Sequence, residues 1–172
     1  FTSLSENLEP EEVVEILNEY LNLTTHAIFK NGGTLDKFIG DATMAVFNAP
    51  FDLDDYIYRA VCTARDIVAG AQDLEDRMEK GFHKKVNFGI GISCGPAVVG
   101  NVGCDFRMDY TAIGDTVNTA SRLEGKAMAR EILISEQVYE ALKDRIRVTE
   151  KGMIPLKGKA KEICVYSVEE VL

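Results

Sequence analysis

Apolar residues recur at helical spacing in two long stretches of the chain. The first stretch follows Glu9-Pro10-Glu11-Glu12 and has its apolar positions at Val13, Ile16, Leu17, Tyr20, Leu21 and Ile28. The second runs from Asp54 to about Lys80, with apolar positions at Ile57, Val61, Ala64, Ile67, Val68 and Leu74. Both patterns predict amphipathic helices, the first ended by Asn31-Gly32-Gly33 and the second by Gly81. Ser3-Leu4-Ser5-Glu6 has capping-box spacing and predicts a short helix at the start.

Short β-branched and aromatic runs predict strands between these helices. Thr34 to Ile39 and Thr43 to Phe47 are joined by Gly40-Asp41-Ala42, which is typical of a tight hairpin with Asp41 on its turn. Val86 to Ser93 is mostly apolar and predicts a strand that is buried on both faces.

The second half of the chain continues the alternation. A glycine-rich stretch, 95–103, leads through Arg107 to Ile113, and helices are predicted at 115–126 and 136–142 with a strand at 132–134 between them. Short strands are expected within 145–168. Helices that alternate with hairpins and crossover strands, without repeats, predict one α+β domain with helices packed on a mostly antiparallel sheet.

Hydrophobic content and net charge limit the classes of protein to which this chain can belong. The hydrophobic content of 46% is enough for a substantial core, and 28 acidic against 19 basic residues give a formal charge of −9. That charge argues against a protein that coats nucleic acid through general attraction to phosphate. An anionic ligand must therefore meet a local cluster of cations or metal ions.

The cysteines and the apolar runs point to a reducing, cytoplasmic setting. The four cysteines are scattered without a Cys-x-x-Cys pair, so neither a disulfide framework nor a zinc site is indicated. No apolar run approaches the roughly 20 residues that span a bilayer, so these residues are expected to form a soluble domain. A membrane anchor elsewhere in a larger parent protein stays open.

Polar residues stand out first at the predicted hairpin. Lys37 lies inside its first strand, and Asp41 lies at its tip. A solvated strand edge with an ordinary turn aspartate is one interpretation. The other is a metal carboxylate with a lysine that donates to a nearby ligand, because Mg²⁺ and Mn²⁺ favour carboxylate and phosphate oxygens.

A second polar pair lies on the helix predicted at 115–126. Asn118 and Arg122 are four residues apart, so both side chains emerge from one face. Arg122 could instead pair with Glu124 or Asp115. The core-facing stripe is already supplied by Val117, Ala120 and Leu123, which leaves the polar pair free to face a ligand or a partner.

A third polar segment is Leu156-Lys157-Gly158-Lys159. Two lysines that bracket a glycine between strands usually form a charged loop. Near a phosphate, the same segment would act as a clamp of positive charge.

These segments together resemble a known family. Lys37-x-x-Gly40-Asp41, followed by Tyr110-Thr111-x-x-Gly114-Asp115-x-Val117-Asn118-x-Ala120-x-Arg122-Leu123, closely resembles the class III adenylyl cyclase domain. The opening residues 1–6 fit the same pattern, and the resemblance covers essentially the whole chain. It implies the ferredoxin-like α+β fold of cyclase homology domains.

The resemblance also implies an activity. Members of the family convert ATP to 3′,5′-cyclic AMP and pyrophosphate with two Mg²⁺ or Mn²⁺ ions, in sites shared between the protomers of a homodimer. Asp41 matches one of the two metal-binding aspartates. The other belongs to a strand that comes before the segment matching Phe1, so the domain over 1–172 is expected to lack its first strand. The segment Val98 to Met108 resembles the arm that crosses the dimer interface.

Individual roles follow from the same resemblance. Asn118 would orient the ribose, Arg122 would meet the charge that grows on the α-phosphate, and Lys157 would hold the triphosphate. Lys37 and Thr111 match the pair that reads adenine. The remaining substrate-binding positions that the resemblance implies are Phe1, Thr2 and Gly40.

Three alternatives remain beside the adenylyl cyclase hypothesis. A guanylyl cyclase would read the other purine, and a catalytically silent domain would only dimerise and regulate a partner. A diguanylate cyclase or polymerase-like domain is disfavoured, because Gly32-Gly33-Thr34-Leu35 lacks the acidic pair of the Gly-Gly-Asp/Glu-Glu-Phe signature. The resemblance further implies a fused sensor or membrane module outside these residues, and no nucleic-acid partner.

Overall fold

Helices and strands alternate along the chain in a computed structural model that describes residues 6–82, 88–158 and 160–172. In chain order the elements are α1 (Pro10–Lys30), β1 (Thr34–Ile39), β2 (Ala42–Val46), α2 (Tyr56–Phe82), β3 (Ile90–Ile92), β4 (Val98–Cys104), β5 (Arg107–Ile113), α3 (Asp115–Lys126), β6 (Ile132–Ser135), α4 (Glu136–Leu142), β7 (Ile146–Ile154) and β8 (Ile163–Val171).

Strand pairing within the described ranges forms one larger sheet and two hairpins. The larger sheet has the order β3-β6-β8-β7, and β1–β2 and β4–β5 form separate two-stranded ladders. Only the pairing of β3 with β6 is parallel, and the other four pairings are antiparallel. The prediction of an α+β fold with mostly antiparallel strands is therefore confirmed.

The ends of α1 show why its sequence forms a helix there. Pro10 occupies the first helical position, and the backbone N–H of Glu9 donates to Oε2 of Glu12 at 3.0 Å. At the other end, the side-chain amide of Asn31 donates to the carbonyl oxygen of Ala27 at 2.9 Å, and Gly32 adopts φ 80°. The predicted helix and its end are both confirmed.

The main core lies between α2, α4 and the larger sheet. Val61, Ile134 and Val138 are 0% exposed, and Tyr139 stacks on Tyr166 with ring centroids 4.1 Å apart. Complete burial of a side chain of this size typically stabilises a fold by about 1.5–3 kcal/mol. This core fixes the sheet on which α3 rests.

The backbone of α3 lies directly on β3 at Gly91. A Cβ added to Gly91 would lie 2.3 Å from the carbonyl oxygen of Ala120 and 2.4 Å from the backbone nitrogen of Glu124. Only glycine permits so close an approach of two backbones. This contact therefore sets the height of α3, and of the side chains that it carries, above the sheet.

The structure corrects several predicted boundaries. Helix α2 continues through Gly81 to Phe82, because a single glycine weakens a helix without ending it. The strand predicted at 86–93 is limited to Ile90–Ile92 in the described residues, and these three residues are half-buried rather than buried on both faces. The last two strands are nine residues each rather than short, and β8 extends to Val171.

Two predictions concern the start of the chain and the membrane. The short helix predicted at Ser3 falls on residues 3–5, which lie outside the described residues, and residues 6 and 7 form a turn. Among the helices that the structure describes, none combines the length and the apolar character needed to cross a membrane.

Candidate functional site

The hairpin β1–β2 places Asp41 on its turn, as the sequence predicted. Gly40 adopts φ 60°, a left-handed conformation that favours glycine, and the next residue, Asp41, is exposed at the tip. No ion pair joins Asp41 to another of the described residues. Partial burial and the nearby charge of Asp41 together raise the pKa of Glu124 on α3. Asp41 therefore presents an uncompensated negative charge close to α3.

Lys37 and Thr111, on different hairpins, are joined through one carboxylate. The hydroxyl of Thr111 donates to Oδ2 of Asp36 at 2.9 Å, and the backbone N–H of Ala112 donates to the same oxygen at 3.2 Å. Nζ of Lys37 lies 3.7 Å from Oδ1 of Asp36. The Asp36 side chain is only 3% exposed, whereas that of Lys37 is 42% exposed. Lys37 can therefore reach a ligand while it remains next to a buried carboxylate.

An irregularity in β1 accounts for this arrangement. Neighbouring residues of a regular strand point to opposite faces, but the register of β1 against β2 shifts between Leu35 and Lys37, at Asp36. Such bulges redirect side chains and are common next to binding sites. Here the shift accompanies a carboxylate that reaches β5 and stays within 3.7 Å of the neighbouring lysine.

Arg122 lies against the loop that carries Lys157. A Cβ added to Gly158, which adopts φ 81°, would lie 2.9 Å from Nη2 of Arg122. No salt bridge joins Arg122 to Glu124 or Asp115, so the pairing considered from sequence is absent. Neither Arg122 nor Lys157 has an ion-pair partner in the described part of the chain. Arg122 therefore lies next to the residue that follows Lys157, and both cations are available to an anion.

The helix α3 presents its polar residues as the sequence suggested, although its buried stripe differs. Asn118 is exposed and Arg122 is half-buried. The buried positions are Thr119 and Leu123, while Val117 and Ala120 are only half-buried. Thr119 is tolerated in the interior because its hydroxyl donates to the carbonyl oxygen of Asp115 at 2.8 Å.

The charge of Asp41 affects α3 through Glu124. Asp41 is near enough to Glu124 to affect its pKa, and Glu124 is two residues after Arg122. Side chains two residues apart point roughly 200° apart around a helix. Among the described residues, no hydrogen bond or ion pair joins Asp41 to Arg122.

The hairpin β4–β5 exposes several large apolar side chains. Phe106 at its turn is 99% exposed, and Val98, Met108 and Ile113 are also exposed. Exposed large apolar side chains that lie on one hairpin often mark a surface on which another chain packs. The hairpin coincides with the predicted arm.

Comparison with known proteins identifies the family. The model of the adenylate and guanylate cyclase catalytic domain matches residues 1–170. The chain belongs to this cyclase family. The fold agrees, because the crystal structure of the adenylyl cyclase CyaB from P. aeruginosa matches with a TM-score of 0.93 at 38% identity, covering 99% of this chain and 89% of that one.

Both adenylyl cyclases and guanylyl cyclases resemble this cyclase domain. Adenylate cyclase 1 of Rhizobium meliloti is 34% identical over 100% of the chain, and the adenylate cyclase of Anabaena cylindrica is 37% identical over 98%. The chain spans 26% and 34% of the lengths of these two proteins. The crystal structure of the guanylyl cyclase Cya2 matches with a TM-score of 0.92 at 34% identity, covering 99% of this chain and 87% of that one.

Several site residues predicted for the cyclase domain are not brought together here. Phe1 and Thr2 lie outside the described residues, and Gly40 is exposed with nothing within 4 Å of an added Cβ. Residues 6–82, 88–158 and 160–172 contain no group of three or more His, Cys, Asp or Glu side chains that could hold a metal ion. Asp41 supplies one exposed carboxylate, which fits one ligand of a divalent cation but does not complete a site.

Asp36 is not among the site residues that the sequence predicts, although the structure places it between two of them. Its signal was an acidic residue inside a predicted strand, next to Lys37, where burial of an unpaired charge would be costly. What the sequence could not show is the partner, because Thr111 is 75 positions further along the chain.

Proposed function

We propose that this domain converts ATP to 3′,5′-cyclic AMP and pyrophosphate, in sites that are shared between two copies of the chain. In this reaction the ribose 3′-oxygen loses its proton and bonds to the α-phosphorus. The bond between the α-phosphorus and the bridging oxygen of the β-phosphate breaks, and pyrophosphate leaves. The protein's part is to position the triphosphate and to stabilise the charge that develops.

The contact of Lys37 and Thr111 with the same carboxylate is the observation that carries the choice of ATP. A lysine ammonium only donates hydrogen bonds, so Lys37 suits N1 of adenine, which only accepts. A threonine hydroxyl can accept a hydrogen bond from the exocyclic amine of adenine. Guanine presents an N–H at N1, which would leave Lys37 facing another donor, and an unpaired polar group of this kind costs roughly 1–3 kcal/mol.

The contact of Arg122 with the Lys157 loop supports a role with phosphate. Arg122 would stabilise the charge on the α-phosphate in the transition state, while Lys157 would hold the terminal phosphates. Both cations lack ion pairs among the residues that the structure describes, so no internal carboxylate has to be displaced. Asn118, four residues before Arg122 on the same face, would orient the ribose.

The exposed carboxylate of Asp41 is a suitable ligand for a divalent ion. Mg²⁺ or Mn²⁺ would bind the exposed carboxylate of Asp41 and oxygens of the triphosphate, with a second aspartate from outside these residues. Two such ions, when bound, supply stabilisation of the attacking and leaving oxygens.

Two observations favour a symmetric homodimer. No ion pair joins Asp41 to Arg122 within the described residues of one chain, and a second copy would bring an Asp41 to an Arg122. The exposed apolar hairpin β4–β5 gives a surface on which two copies could pack. Because one chain carries both sets of residues, a homodimer would contain two equivalent sites. A fused sensor or membrane module stays a prediction from the resemblance, and a cytoplasmic location stays a prediction from the cysteine pattern.

Assay of the full-length protein with ATP and GTP tests the reaction. With Mg²⁺ or Mn²⁺ present, we expect cyclic AMP from ATP and far less cyclic GMP from GTP. Cyclic GMP as the main product would overturn the interpretation of Lys37 and Thr111. Absence of any cyclic product would instead favour a silent dimerisation domain.

Mixing two inactive variants tests the shared sites. Asp41→Asn and Arg122→Ala should each be inactive alone, since each removes a group from both sites of its homodimer. After co-expression, a mixed dimer would contain one intact site, so statistical pairing should restore about a quarter of the wild-type activity. Failure of the mixture to recover activity, when both variants are folded and dimeric, would contradict a site built from two chains.

A further inference from the structure

We propose that Asp36 is a positioning residue that fixes the hydrogen-bond polarity of Thr111 and thereby selects adenine over guanine. The inference rests on the proposed function, because it concerns how the same site distinguishes two purines. It assigns a task to a buried carboxylate that the reaction itself does not use.

The burial and contacts of Asp36 show that its carboxylate is directed inward. Its side chain is 3% exposed, and Oδ2 accepts from both the Thr111 hydroxyl and the Ala112 N–H. Leaving a carboxylate in such a place is costly unless donors surround it. An apolar side chain could fill the same space without the free-energy cost of removing a charge from water. The carboxylate therefore indicates a function.

The hydrogen that Thr111 donates to Asp36 decides which purine its hydroxyl can bind. A threonine hydroxyl has one hydrogen to donate and two lone pairs that accept. Because Thr111 gives its hydrogen to Asp36, only lone pairs remain for a ligand. Such an oxygen pairs with the exocyclic amine of adenine, which donates, and is repelled by O6 of guanine, which also only accepts. A free hydroxyl would rotate and serve either base.

The second carboxylate oxygen acts on Lys37. Oδ1 of Asp36 is buried and has no hydrogen-bond partner among the described residues, and the Lys37 ammonium lies 3.7 Å away. The attraction holds the ammonium near the strand, which reduces the rotamer freedom that binding would otherwise remove. One carboxylate thus orients both base-reading side chains, one as a donor and the other as an acceptor.

Discrimination between bases can be measured without turnover. 3′-Deoxy-ATP and 3′-deoxy-GTP lack the attacking hydroxyl, so their dissociation constants from the full-length protein report binding alone. In Asp36→Ala, the Thr111 hydroxyl is free to donate to O6 of guanine. We expect the ratio of the dissociation constants, GTP analogue over ATP analogue, to fall by on the order of tenfold.

Asp36→Asn covers the case in which the alanine variant fails to fold. It keeps the volume and one acceptor, but its amide then faces either Lys37 or the Thr111 hydroxyl, each of which donates. The ratio should fall in the same direction and by less. Asp73→Asn, an exposed aspartate on α2 outside the site, is the matched control and should leave the ratio unchanged.

A double-mutant cycle separates positioning from a structural effect. Thr111→Val removes the hydroxyl that Asp36 acts on, so adding Asp36→Asn to Thr111→Val should shift the ratio much less than in wild type. A merely structural Asp36 would weaken both analogues equally and leave the ratio constant in every background, which would overturn the proposal. If wild type prefers the ATP analogue but makes no cyclic AMP, the proposed reaction fails while this inference stands.

Discussion

Charged side chains are arranged differently in the scaffold, which is the part of the fold away from the site, and in the candidate site. In the scaffold, Arg145 binds Asp55 through two hydrogen bonds of 2.8 and 2.9 Å and lies 3.6 Å above the ring of Tyr58. In the site, Arg122 and Lys157 have no ion-pair partner among the described residues. The first arrangement is complete within the chain, whereas the second leaves its cations available.

This difference separates stability from function. A paired charge can contribute to folding, but it must give up its partner before it binds a ligand. Cations without an ion-pair partner need no such rearrangement when a phosphate arrives, which favours electrostatic stabilisation. Changes at the site should therefore affect turnover, and changes to scaffold pairs should affect unfolding.

Substitution of Arg122 should give the largest effect. Loss of one preorganised donor typically reduces kcat by about 10²–10³-fold, so Arg122→Ala should show a loss of that size in cyclic AMP formation. Because Arg122 has no ion pair within the described residues, its midpoint of thermal unfolding should change little. The control is Arg77→Ala on α2, which should keep full turnover because its guanidinium makes an exposed pair with Glu19 at 3.5 Å and no other ion pair among the described residues. A large drop in unfolding temperature for Arg122→Ala would show that it belongs to the scaffold.

Gly91 should be the point at which scaffold and site depend on each other. A methyl group there would meet the backbone of α3, so Gly91→Ala should reduce the free energy of unfolding by about 1–3 kcal/mol. Since α3 carries Asn118 and Arg122, kcat should fall as well. The matched control is Gly125→Ala on α3, where an added Cβ meets nothing within 4 Å and should stabilise by about 0.5–1 kcal/mol. Chemical denaturation measures the free energy of unfolding of both variants. If Gly91→Ala were as stable as Gly125→Ala, the close packing at Gly91 would be refuted.

Local patterns in the sequence were enough to place the elements that carry the site. Helical spacing located α1, and the two-residue turn after β1 placed Asp41 at a tip. The spacing of four between Asn118 and Arg122 correctly put both on one helix. These features depend on neighbouring residues, so the sequence alone predicts them well.

The rest of the site depends on contacts between distant residues. The hydrogen bond from Thr111 to Asp36 joins two hairpins, and the approach of Arg122 to Gly158 joins a helix to a late loop. Nothing in either local segment specifies its partner. The continuation of α2 past Gly81 has a different, local reason, since a single glycine weakens a helix without ending it. The individual roles of these residues in catalysis stay predictions.

The smallest expected effect concerns the Asp55–Arg145 pair and its dependence on pH. The hydrogen bonds from Arg145 hold the pKa of Asp55 below its ordinary value of 3.8. A lowered carboxyl pKa stabilises the fold fully above that ordinary value, and the contribution is lost as the pH falls through the lower pKa of the folded state. Asp55→Asn should therefore be less stable than wild type at pH 7, and the difference should shrink below about pH 3.8.

Asparagine suits this position because Asp55 adopts φ 57°, a conformation that asparagine also tolerates. Asp55→Asn should leave cyclic AMP formation at pH 7 unchanged, since the pair is exposed and lies outside the site. Denaturant unfolding over a range of pH, at low and high salt, checks the electrostatic origin because salt screens an exposed pair. A difference that persists unchanged at low pH would show that Arg145 stabilises the scaffold through its packing on Tyr58 rather than through charge, because that contact does not need an ionised Asp55.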